Sequence, residues 1–155
     1  MSERETTRHL LVVTSAGGVA LDVLALADAY DGPRRFVAAD AVDTAERLVD
    51  EDAMFRPEPE ANRPLGLVAE LGRAFAELGR RRPRLVLSAG TALAVPWFVA
   101  ARVLRVPAVW VETLNIVDRQ GRAARVCARL STAVAVQRAE RMADHRRAVF
   151  VGELY

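Results

Sequence analysis

A glycine pair and two carboxylates carry most of the chemistry open to this sequence. Gly17 and Gly18 close a small-residue turn, Thr14 to Gly18, between an apolar run (Leu10 to Val13) and a stretch of helical period containing Val19, Leu21, Val23, Leu24 and Leu26. Adjacent glycines reach backbone angles that other residues avoid, and the free amides of a following helix make a ready anion site, usually for phosphate. Ser15 and the amides of Gly17 and Gly18 are therefore candidate phosphate ligands. A tight β–α connection that binds nothing uses the same residues, and the pair falls short of a full G-x-G-x-x-G or P-loop pattern. Glu112 directly follows the apolar run Ala108 to Val111. At a strand exit a carboxylate can act as general base or hold a hydroxyl group, or simply bond a neighbouring loop. Asp22, one turn into the first helix, is either a second working carboxylate or a residue that suits the helix dipole.

The remaining polar candidates sit at other strand exits: Ser88, Gly90 and Thr91 after Leu85 to Leu87, and Asn115 after Glu112. His9 and His145 have no neighbours at metal-ligand spacing and read as non-catalytic. No nucleophile elbow or Ser-His-Asp arrangement is visible. Cys127, the single cysteine, lies on the apolar face of a helix and reads as a small buried hydrophobe. Neither a metal nor a cofactor is called for.

The elements that must position these residues alternate. Strands are expected at Leu10 to Val13, Phe36 to Ala39, Ala53 to Phe55, Leu85 to Leu87, Ala108 to Val111, Thr132 to Val136 and Val149 to Val151. Helices are expected after Gly18, at Thr44 to Asp50, Leu65 to Arg81, Ala92 to Leu104, Arg119 to Leu130 and Arg138 to Asp144. Strands that are apolar along their whole length, alternating with helices, predict a parallel sheet covered on both faces. With right-handed crossovers this becomes a single α/β, Rossmann-like, doubly wound domain over residues 1–155, the first eight a flexible tail. Ligands of such sheets bind beyond the strand C-termini, where the three polar exits converge.

Composition narrows the class. With 155 residues, 52% of them hydrophobic, the chain suits one domain with a full core. All 22 basic residues are arginine. From Met1 to Leu71 there are 7 arginines against 14 acids; from Gly72 to Tyr155 there are 15 against 6, so the halves carry −7 and +9. The second half is thus expected to face something anionic. Arg122, Arg125 and Arg129 form a stripe on one helix, and Trp97 and Phe98 lie before it in the uncharged run Leu85 to Ala101. Together they suggest peripheral contact with an anionic membrane, or with a partner chain. Nucleic acid is disfavoured, since no recognition helix, RNA-binding aromatics or zinc module is recognisable. No run of about twenty apolar residues exists, so no spanning helix is expected.

Four segments, in order, resemble the acceptor-side subunit of split, two-chain glycosyltransferases: VVTSAGGVALDVLAL, RPRLVLSAGTALAVPWFVAARVLRVPAVWVETLN, GRAARVCARLSTAVAVQ and AVFVGELY. The family includes the PssD-like proteins of bacterial exopolysaccharide synthesis and the anchor subunit of the eukaryotic dolichol-linked GlcNAc transferase. It is similar to the N-terminal half of GT-B enzymes such as MurG, which binds a lipid-linked acceptor while the other half binds the UDP-sugar. The resemblance implies an acceptor-binding, membrane-recruiting subunit at the cytoplasmic face of the bacterial inner membrane, active only with a donor-binding partner chain. It also implies that the chain stops near Tyr155, where a one-chain enzyme would cross to its second domain. Gly17 and Gly18 match the family's Gly-Gly turn, expected to hold the acceptor's diphosphate, and Glu112 its Glu after the fifth strand. Asp22 stands where Glu is usual, Ser88, Gly90 and Pro96 match a conserved-pattern segment of the family, and Gln137 matches a Gln normally followed by Trp. Val19 departs from the pattern: the family has His there. A non-catalytic membrane scaffold and a stand-alone nucleotide- or sugar-phosphate-binding domain are the alternatives.

Overall fold

The computed structural model of the chain describes residues 8–59, 64–90, 92–112 and 121–152. Seven parallel strands form one sheet in the order β3-β2-β1-β4-β5-β6-β7. They are β1 (Leu10–Thr14), β2 (Arg34–Ala39), β3 (Ala53–Arg56), β4 (Leu85–Ser88), β5 (Ala108–Glu112), β6 (Ala133–Val136) and β7 (Ala148–Phe150). The helices are α1 (Gly18–Asp28), α2 (Val42–Arg47), α3 (Pro64–Arg80), α4 (Ala94–Val103) and α5 (Arg122–Leu130), and a 3-10 segment spans Ala139–Asp144. The expected elements all occur, with boundaries moved by one to three residues. The expected helix start at Arg119 lies outside the described residues.

The chain winds outward from β1 through β2 to β3, returns through α3 to β4, and winds the other way to β7. Right-handed crossovers then put α1 and α2 on one face and α3, α4, α5 and the 3-10 segment on the other. Strand alternation sorts the core accordingly. Val12, Leu10, Phe36 and Ala38 pack with Val23 and Ala27 of α1. Leu11, Val13, Val86, Trp110, Val134 and Val136 pack with Trp97 and Phe98 of α4, Ala74 and Leu78 of α3 and Cys127 of α5.

α4 is the centre of the larger core. Pro96 sits in its first turn, where the missing amide costs nothing. Trp97 and Phe98 are fully buried, and Phe98 meets Trp110 edge to face with centroids 5.9 Å apart. The Trp97 indole N–H donates to Oε1 of Glu70, 3.2 Å away, and Glu70 is itself buried on α3. Arg56 at the end of β3 pairs with the same carboxylate at 3.1 Å. A buried carboxylate needs such partners, and here they tie β3, α3 and α4 together. Trp97 and Phe98 are therefore not a membrane or partner surface, as their place in an uncharged run suggested. From Ala94 to Ala101 the helix is apolar because α3, α5 and the sheet cover it.

Candidate functional site

Two stretches of the strands' C-terminal rim hold the predicted residues, and they differ in kind. The first is the switch point between β1 and β4, where the chain reverses its winding direction. Gly17 adopts φ +81° and caps α1, and Gly17 and Gly18 are exposed. The Gly17 amide is nevertheless taken: it donates to Oδ2 of Asp43, at the start of α2, over 2.9 Å. A carboxylate thus occupies the position a phosphate oxygen was expected to fill. Ser15 is half-buried and its hydroxyl donates to the Ala16 carbonyl. Across the cleft, Gly90 has φ +150°, and a Cβ there would meet Val19 Cγ1 at 3.2 Å. Residue 19 therefore packs directly on the β4 exit. Beneath that exit, the Ser88 hydroxyl is fully buried and has no hydrogen-bond partner among the described residues. Thr91 and Asn115 lie outside the described residues.

The second stretch is the end of β5 and β6. Glu112 is the last residue of β5, buried, and points to the α4–α5 face, the same side as Trp110. Its Oε2 lies 2.8 Å from Nε2 of His145, and its Oε1 lies 2.8 Å from Nε of Arg141. The Arg141 contact pairs charges without the alignment of a hydrogen bond. Both partners come from the crossover between β6 and β7. A pairing of residues 29 and 33 positions downstream carries no local signal, which is why His145 read as a surface residue. Asp22 is buried on α1, on the other face of the sheet. The fold does not bring Asp22 and Glu112 together.

Gln137 directly follows β6 and is 3% exposed, too buried for the membrane or partner surface it was assigned to. Neither amide atom has a partner among the described residues. It lines a cavity of about 630 Å³ with Arg138, Ala139, Glu140 and Phe150 at the outer end of β6 and β7. An amide with donor and acceptor both unmet is ready to bond a ligand that offers hydroxyl groups.

The arginine stripe is real in geometry. Arg122, Arg125 and Arg129 are exposed along α5, while Ala124 and Cys127 face inward. Burial pushes the Cys127 thiol up to about 12, so it is an inert packing group, as its position on the apolar face implied. The large apolar side chains most exposed on the helices lie elsewhere, at Leu65 and Val68 on α3 and Val42 on α2. Among the described residues no helix is long and apolar enough to cross a membrane, and no group of three His, Cys, Asp or Glu could hold a metal ion.

This single parallel sheet, with its helices and its order of strands, is the Rossmann-like fold of a GT-B N-terminal domain. Among solved structures, MurG of Acinetobacter baumannii superposes with a TM-score of 0.69 at 17% identity, over 83% of this chain and 41% of that one. The UDP-N-acetylglucosamine 2-epimerase of Rickettsia bellii gives 0.71 at 12% identity, over 96% and 45%. The Neisseria meningitidis UDP-GlcNAc 2-epimerase, bound to UDP-GlcNAc, gives 0.69 at 14%, over 94% and 47%. The chain thus spans less than half the length of each. No protein-family model matches the sequence, and no curated protein does. The shared feature is the fold; transferase and epimerase fit it equally.

Proposed function

We propose that this chain is the acceptor-binding, membrane-recruiting subunit of a heteromeric UDP-sugar glycosyltransferase, acting on a polyprenyl-diphosphate-linked sugar in polysaccharide synthesis. The observation that carries the reading is the buried Gln137 amide in the strand-end cavity, without a partner among the described residues. The four family-like segments and the MurG-like fold support the same reading. In this account the Gln137 amide bonds hydroxyls of the acceptor sugar, with Phe150 as an apolar wall. Glu112 orients the attacking hydroxyl and accepts its proton as the new glycosidic bond forms and UDP leaves on the partner's side. The Gly17 and Gly18 turn holds the diphosphate once Asp43 gives way. Arg122, Arg125 and Arg129 face the anionic bilayer at the cytoplasmic surface of the inner membrane. The UDP-sugar is bound mainly by the partner chain, and no cofactor takes part.

A second reading has its own observation. Glu112 is held at 2.8 Å by both Arg141 and His145, and Val19 stands where the family has His. Both features suit a scaffold that recruits a transferase without taking part in the chemistry. Co-expression with the protein encoded by the neighbouring gene, pull-down and a UDP-sugar transfer assay on membranes separate the two. Transfer by the pair and by neither chain alone, lost about a hundredfold in Glu112→Gln, supports the subunit role. Transfer unchanged in Glu112→Gln but lost with membrane association in Arg-to-Glu variants supports the scaffold. No pairing overturns both.

A further inference from the structure

A second cavity, of about 440 Å³, lies on the flank of the sheet between α5 and the entry to β7. It is not part of the strand-end rim: its floor is Val134, near the start of β6, whose amide bonds the Arg147 carbonyl. Arg125, Arg129, Arg146 and Arg147 converge on it. Arg125 and Arg129 stand one helical turn apart on α5, a spacing at which like charges repel. Arg147 is fixed by a 2.9 Å bond from Nη1 to the Ser131 carbonyl. One carboxylate, Asp144, reaches the cavity, and it is already paired with Arg141 at 2.9 Å. Arg125, Arg129 and Arg146 have no carboxylate partner among the described residues. Four guanidinium groups line one concavity whose single carboxylate among the described residues is already paired, an arrangement that suits an external anion of more than one charge. The planar fork of arginine matches phosphate oxygens two at a time.

We infer that this cavity is a phosphate-binding site for a phosphate monoester or diphosphate, on a soluble molecule or on a lipid headgroup. Its volume exceeds a bare phosphate and falls in the range of small-molecule sites. Ala128 and Val134 supply an apolar wall for the group that carries the phosphate. His145 lines the cavity and also holds Glu112, which links an occupied cavity to the carboxylate at the end of β5. The inference stands on the cavity alone and does not require the transferase reading.

The test uses the full chain without a partner. Inorganic pyrophosphate is titrated calorimetrically, and sedimentation is measured with phosphatidylcholine vesicles with and without phosphatidic acid. The variants are Arg129→Gln/Arg146→Gln and, as a control of equal charge change, Arg80→Gln/Arg102→Gln, all at exposed positions. The expected result is one pyrophosphate per chain, with Kd raised at least about tenfold in the first variant and unchanged in the control. Binding to phosphatidic acid vesicles that pyrophosphate displaces identifies a headgroup as the source; pyrophosphate binding without vesicle binding identifies a soluble ligand. Absence of binding to both probes, or equal loss in both variants, overturns the site. The pyrophosphate arm involves neither transfer nor a membrane, so its failure is distinct from failure of the subunit role.

Discussion

The two ends of the strand rim make opposite use of the same fold. At the β1–β4 switch point the backbone is shaped for an anion, yet the Gly17 amide is already satisfied by Asp43. At the ends of β5 and β6 no glycine turn marks an anion site, yet Gln137 is buried with no partner for its amide among the described residues, and Glu112 is clamped by residues of the next crossover. A turn motif reports what a backbone can bind; whether it is free to do so depends on a side chain 26 residues away. The −7 and +9 halves of the chain follow the same division. In the acidic half Asp43 fills the Gly17 amide, whereas in the arginine-rich half Arg125, Arg129 and Arg146 have no carboxylate partner among the described residues.

The comparison can be broken most forcefully at the core beneath both regions. Trp97→Ala should cost about 3–5 kcal/mol in denaturant unfolding, because it empties a fully buried site and strips Glu70 of a donor. Val68→Ala, on an exposed part of α3, should stay within about 0.5 kcal/mol. Equal, small effects would return Trp97 to the surface. Next in size, Glu112→Ala should lose about 1–3 kcal/mol, since it leaves Arg141 and half-buried His145 without their carboxylate. A silent substitution would show that the clamp does not hold the crossover. At the other end of the rim, Asp43→Ala should cost only about 1 kcal/mol, one hydrogen bond at an exposed site. It should also raise affinity for a polyprenyl diphosphate by freeing the Gly17 amide; lower affinity would remove the turn from the anion account.

The smallest effect concerns pH. Burial, with Arg35 beside it, holds His9 below its ordinary value of 6.5. As pH falls past 6.5 the unfolded chain takes up the proton first, so stability declines until the folded-state value is passed. His9→Asn should flatten stability between about pH 7 and pH 5. An unchanged slope would assign it to other groups.

Much of this was legible in the sequence. The seven strands and their helices followed from apolar runs and helical spacing, and the place of Gly17, Ser88 and Glu112 at strand exits followed from the doubly wound order. Trp97 and Phe98 were misplaced because an apolar helix reads alike whether lipid or protein covers it; the covering came from α3, α5 and the sheet. Glu70 escaped notice as one charge in an amphipathic helix, since its partners Arg56 and Trp97 are distant in sequence. His145 and Arg141 reach Glu112 only because the β6–β7 crossover returns across the sheet end. Such pairings depend on topology and register, which spacing along a chain does not encode.

The most direct test of the central claim is the ligand preference of the isolated chain. Binding is measured to a polyprenyl-diphosphate-linked GlcNAc in lipid nanodiscs and, side by side, to UDP-GlcNAc in solution. The account predicts saturable binding to the lipid-linked sugar, weakened by Gln137→Ala, and no tight binding of UDP-GlcNAc. Tight UDP-GlcNAc binding with no response to the lipid-linked sugar would contradict it and make this a stand-alone nucleotide-sugar domain.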